Sequence, residues 1–130
     1  RMPDAQQRTD RMLAQYPSNY PLNQVRVDLL LKQNRTADAE KALEGLLKSR
    51  SDDPDVWYQV AETRGLSGNI IGLHQARAEY FALVGDFQQA IQQLDFAKRR
   101  AGSNFPLSSR IDARQRELIE QERIVKGMMS

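Results

Sequence analysis

The chain has 130 residues, a formal net charge of +2, 40% hydrophobic and 28% charged residues, which suits one domain with a single hydrophobic core. No apolar run approaches the roughly 20 residues of a membrane-spanning helix, and acidic residues are scattered among the basic ones instead of leaving the basic stripe that nucleic acid requires. The absence of cysteine removes disulfides and thiolate metal sites. Membrane insertion and nucleic-acid binding are therefore not expected. The opening Arg1-Met2-Pro3 shows neither an initiator methionine nor a leader pattern, so the chain is expected to be an excerpt of a longer one.

Prolines, glycines and capping residues divide the chain into seven predicted helices. Pro3 opens the first, to about Ala14, and "YPSNYP" (Tyr16 to Pro21) closes it and starts the second. The second carries Leu22, Val25, Leu29 and Leu30 and stops at Asn34, a residue that tolerates left-handed backbone. Thr36 is placed to cap the third, whose Ala39, Ala42, Leu43, Leu46 and Leu47 recur at helical spacing. "SDDPD" supplies an Asp cap and Pro54 for the fourth, which shows Val56, Trp57, Val60 and Ala61 and ends at "GLSGN". Asn69 caps the fifth, with Leu73, Ala78, Phe81 and Val84, and Gly85 ends it. Asp86 with Gln89 starts the sixth, where Phe87, Ala90, Ile91, Leu94 and Ala97 form one stripe. "AGSNFP" leads into the seventh, in which Leu107, Ile111, Leu118 and Val125 share a face and Ser103, Ser108 and Ser109 read as capping residues. Period-two β-branched runs do not occur, so the predicted fold class is all-α.

Seven helices joined by short turns imply antiparallel neighbours, in a bundle or in a stack of helical hairpins. Ala5, Ala39 and Leu73 fall 34 residues apart, as do Met12, Leu46 and Tyr80. That period with paired helices is the tetratricopeptide (TPR) spacing, and the chain resembles the TPR family. The run from Ile71 carries the resemblance best, through Ala78, Phe81, Gly85, Asp86, Phe87, Ala90, Leu94 and Ala97. Alanines there let two helices nest while aromatics fill the seam. The resemblance implies a TPR-type array of antiparallel hairpins over 1–130, with 1–17 as the second helix of an incomplete repeat and 20–53 as a repeat in which Asn34 replaces the turn glycine. A non-repeat helix at 54–70 is expected to interrupt the register before a second repeat at 71–104 and a C-terminal helix at 105–127. Pairing the fourth helix with the fifth would suit Trp57, Ala61 and Gly68, but it would set Arg77 at a buried apolar position and Tyr80 at a small one. An inserted helix is expected to open a pocket beside the array.

Motifs for chemistry do not assemble. His74 is the single histidine and has no partner at metal-ligand spacing, and the glycines at 65, 68 and 72 lack the Lys-Ser/Thr of a phosphate loop. "KRR" at Lys98 to Arg100 suits the last turn of a helix, where cations complement the dipole. The pairs Asp52-Asp53 and Glu120/Glu122 read as cap and solvated face. The chain is expected to be no enzyme and to hold no catalytic, cofactor or metal site. In TPR-like arrays the first helix of each pair lines a groove, which assigns Gln24, Asp28 and Lys32, with Gln75 and Glu79, to partner binding; the fourth helix adds Tyr58 and Glu62. Gln24 and Asp28 stand where the carboxylate-clamp subclass has Lys and Asn, so capture of chaperone C-termini is not implied.

Over its whole length the chain is similar to the C-terminal TPR domains of the β-barrel assembly-enhancing protease family, bacterial periplasmic zinc metallopeptidases and chaperones. "RTADAEKAL", "LHQARAEYFALVGDFQQAIQQLDFAKR" and the arginine-rich last helix carry that similarity. It implies a periplasmic location and a parent whose zinc sits in a separate HExxH protease domain. It also implies protein partners: the outer-membrane barrel-assembly machinery, the lipopolysaccharide-transport barrel and the parent's own protease domain. The function implied is recruitment of outer-membrane barrel proteins for assembly or degradation, with autoregulatory cover of the protease cleft as the alternative.

Overall fold

The computed structural model describes residues 2–130. Among them the chain forms seven α-helices and no strand: α1 (Met2–Gln15), α2 (Tyr20–Lys32), α3 (Thr36–Arg50), α4 (Pro54–Leu66), α5 (Ile70–Leu83), α6 (Phe87–Ala101) and α7 (Phe105–Met129). The expected all-α class and helix count hold.

Three of the turns share one construction. Asn34, Gly68 and Gly85 adopt left-handed backbone with φ of 59°, 81° and 85°. In each case that residue's N–H donates to the carbonyl three residues back and the next N–H donates five back: Asn34 to Leu31 and Arg35 to Leu30, Gly68 to Gly65 and Asn69 to Arg64, Gly85 to Ala82 and Asp86 to Phe81. This is the Schellman closure, which satisfies carbonyls that a helix end otherwise leaves unpaired. Counting Gly102, also at positive φ, the left-handed residues are separated by 34, 17 and 17 residues. Two helices, α3 and α4, lie between Asn34 and Gly68, and one helix lies in each of the next two intervals.

Side-chain caps follow the turns. Asn19, Asp53, Asn69, Asp86 and Asn104 each accept a backbone N–H from the first turn of the following helix. Two expectations need correction. Thr36 lies inside α3, and the cap position belongs to Arg35, whose side chain makes no capping bond but pairs with Asp38 at 2.9 Å. Asn104, rather than a serine, caps α7, because its Oδ1 alone is placed to accept from Leu107 N–H.

The chain divides into two compact units. In the first, Arg1–Ser51, α1 packs on α2 and α2 on α3. Leu13, Val27, Leu30, Ala39, Leu43 and Leu46 are buried there. Thr9, also buried, donates its hydroxyl to Ala5 O, and Gln33 donates to Gln6 across α1 and α2. Since α1 is covered chiefly by α2, the face carrying Thr9 and Leu13 is buried and Met12, about 100° around the helix, stays exposed.

In the second unit, Asp52–Ser130, α5 is packed on one side by α4 and on another by α6, and α6 is packed by α7. Ala78, Ala90, Leu94, Ala97, Ala101, Ile111 and Leu118 form its core, with Phe81, Phe87 and Leu107 against them. The last two turns of α7 leave this core: Ile124, Val125, Met128 and Met129 are exposed, which corrects the expectation that Val125 shares the buried face of Ile111 and Leu118.

Leu94→Ala removes a fully buried side chain and is expected to cost about 2–5 kcal/mol, whereas Phe105→Ala, at a residue 75% exposed, changes stability by less than about 0.5 kcal/mol; urea denaturation of both variants checks the contrast.

Candidate partner-binding site

A cleft of about 140 Å³ opens between α4 and α5. Tyr58, Ala61 and Glu62 reach it from α4, and Leu73, Arg77, Tyr80 and Phe81 from α5. On each helix these positions lie three or four residues apart, so one face of each lines the cleft. Tyr58 and Tyr80 meet edge to face with ring centroids 5.8 Å apart, and Tyr80 meets Phe81 in the same way at 5.5 Å. Such contacts fix ring orientation as well as burying area. The helices approach closely at one end: a Cβ added to Gly65 would lie 2.9 Å from Leu73 Cδ1. The approach keeps Leu73 at the cleft floor. Glu62 and Arg77 are exposed at the rim and form no ion pair with each other among the described residues.

The residues expected to bind partners separate into three groups. Tyr58 and Glu62 are in the cleft. Gln75 and Glu79 lie two residues along from Leu73 and Arg77, about 200° around α5, so they occupy another face. There Glu79 accepts two bonds from the Arg114 guanidinium of α7, both at 2.8 Å, while Gln75 is half-buried. Gln24, Asp28 and Lys32 belong to the first unit, where Asp28 and Lys32 are exposed and Gln24 is half-buried. Of α2, it is Asn23 and Arg26 that line an open cleft of about 370 Å³ with Lys41 and Arg50 of α3.

Arg77, Tyr80 and Leu73 are cleft residues that sequence reasoning missed. Their signal lay in the α4–α5 pairing, where Arg77 looked like a buried charge. In the structure it is exposed at the rim, and Tyr80 is half-buried against Tyr58, so neither is in conflict with close packing of the two helices.

The α7 helix steadies α5 and α6 from the side away from the cleft. Buried Gln115 donates to Ile91 O at 3.1 Å and to Asp95 at 2.8 Å, and accepts from Lys98 Nζ at 2.8 Å, so both ends of its amide are engaged. Lys98 also donates to Asp112 at 3.0 Å. That hydrogen bond, aided by the lysine charge, holds the Asp112 carboxyl below the usual carboxylate range. Hydrogen bonding to Glu79 in turn raises the Arg114 guanidinium above its ordinary value.

Residues 1–62, from α1 into α4, match the family model described as a tetratricopeptide repeat. The chain is an all-α, TPR-like array. No curated protein matches it. Tetratricopeptide repeats generally mediate protein–protein interaction through the extended surfaces that stacked helix pairs create. Among the described residues no helix is long and apolar enough to cross a membrane, and no three His, Cys, Asp or Glu side chains are grouped to hold a metal ion.

Two measurements check the α7 anchor. A double-mutant cycle between Glu79→Ala and Arg114→Ala is expected to give a coupling of about 1 kcal/mol, since each side chain is less than one-third exposed. The Asp112 pKa, followed by carboxyl-carbon NMR, is expected to rise in Lys98→Met. With its folded value depressed, Asp112 stabilises the fold above the ordinary carboxylate pKa of about 4, and that contribution is lost as pH falls through the lowered value.

Proposed function

We propose that this chain is the protein-interaction domain of a periplasmic metalloprotease and chaperone of the β-barrel assembly-enhancing (BepA) type. Its task in this reading is to recruit outer-membrane β-barrel proteins, the lipopolysaccharide-transport barrel among them, and their assembly machinery for assembly or degradation. The observation that carries the binding role is the α4–α5 cleft, with Tyr58 and Tyr80 as aromatic walls and the separated charges of Glu62 and Arg77 at its rim. The cleft's 140 Å³ matches the roughly 150 Å³ that accommodates a benzene ring in a protein interior. A partner segment docks by seating one aromatic or large aliphatic side chain between the tyrosines, while the rim charges pair with its polar groups. Central aromatic contacts of this kind dominate binding energy, and rim charges tune rate and selectivity.

The whole-chain resemblance noted in "RTADAEKAL" and in the Leu73–Arg99 segment supports the parent and its periplasmic location. Support for a protein partner comes from the TPR match.

Binding of the purified domain to the barrel-assembly complex, measured by biolayer interferometry, tests the reading. Tyr58→Ala is expected to weaken binding by at least about ten-fold, and Glu62→Lys to slow association, with the helical circular dichroism of both unchanged. Wild-type affinity in both variants would contradict it.

A further inference from the structure

A second groove, of about 330 Å³, lies between α5 and α6. Ile70, His74 and Phe96 line it, and Arg99 and Arg100 rim it. Its floor is ordered by its own contacts. His74 Nδ1 is 2.8 Å from Gln93 Oε1, the imidazole meets the Phe96 ring at a centroid distance of 5.4 Å, and the Arg99 guanidinium stands 5.6 Å from the same ring. No carboxylate lines the groove. The acidic residue next in sequence, Asp95, is taken up by Gln115 of α7 at 2.8 Å. Both arginines are exposed and have no acidic partner among the described residues.

Their place in the last turn of α6 complements the helix dipole, which accounts for cations at that end. The dipole does not account for an apolar floor of Ile70 and Phe96 directly beneath them. We infer that this groove is a second docking site, for an acidic protein segment that places an aromatic or aliphatic side chain on Phe96 and Ile70 and its carboxylates on Arg99 and Arg100. Charge complementarity selects the occupant: two unpaired guanidinium groups, each able to hold a carboxylate in a two-pronged hydrogen bond, with no competing acid in the lining. The site goes beyond the α4–α5 cleft, shares none of its lining residues and does not depend on it.

The test is an NMR titration of the whole 130-residue chain with the blocked hexapeptide Gly-Asp-Glu-Phe-Asp-Gly and with its Asn/Gln isostere. The acidic peptide is expected to shift the side-chain signals of Ile70, His74 and Phe96. Its affinity should fall about five-fold in the double variant Arg99→Gln/Arg100→Gln, whose changes are on exposed residues, and should weaken with added salt. Tyr58→Ala, which disables the other cleft, should leave this titration unchanged. Equal affinity for the isostere, shifts confined to Tyr58 and Tyr80, or binding to phosphatidylglycerol vesicles or an RNA oligonucleotide with no response to the peptide would each overturn the inference.

Discussion

The second unit depends on how closely α5 and α6 can approach, and that is set by alanine. Ala78, Ala90 and Ala97 are all completely buried, so the two backbones meet across methyl groups with Leu94 and Phe81 filling the space on either side. A larger side chain at one of these points would force the helices apart at roughly 1–3 kcal/mol. The seam fixes the rotation of α5 about its axis, and that rotation allots its remaining faces. Glu79 is turned to Arg114 of α7, Ala78 to the core, and Leu73, Arg77 and Tyr80 to α4. Beside the cleft, α5 is held by α6 and by the Arg114 pair of α7, and Phe81 is shared between the seam and the cleft.

This arrangement also explains why the two grooves of the second unit differ in chemistry. Between α4 and α5 the opposed faces are aromatic, and the two rim charges have opposite sign. Between α5 and α6, near the end of α6, the floor is apolar but the rim carries positive charge alone. One helix, α5, contributes to both, through Leu73, Arg77, Tyr80 and Phe81 in the first and through Ile70 and His74, nearer its start, in the second.

Much of the fold was legible because it is written in local chemistry. Asn34 and Gly85 mark turns that need left-handed backbone, and Asn69 and Asp86 mark caps, since each requirement is met within five residues. The alanine stripe of α6 was legible by spacing. What local pattern does not carry is the rotation of one helix against another. Glu79 and Arg77 are both exposed-looking charges on α5, yet one is bound to α7 and the other rims the cleft, a distinction set by which neighbour sits where. Val125 follows the apolar spacing of α7 but lies beyond the buried positions Ile111, Gln115 and Leu118. Thr36 has the right chemistry for a cap, but the Schellman closure at Asn34 puts Arg35 at that position. The family match covers α1 into α4, whereas the pattern that suggested the family most clearly spans α5 and α6, so the two signals come from different stretches of one chain.

The central claim is that partner contact runs through the aromatic cleft between α4 and α5. Site-directed photocrosslinking in living cells, with the photoreactive residue replacing Glu62 in one strain and Asp28 in another, reads it most directly. The account predicts a discrete crosslink from position 62 to a component of outer-membrane barrel assembly, abolished by Tyr58→Ala. A crosslink from position 28 with none from position 62, or one from position 62 that persists in Tyr58→Ala, would contradict it.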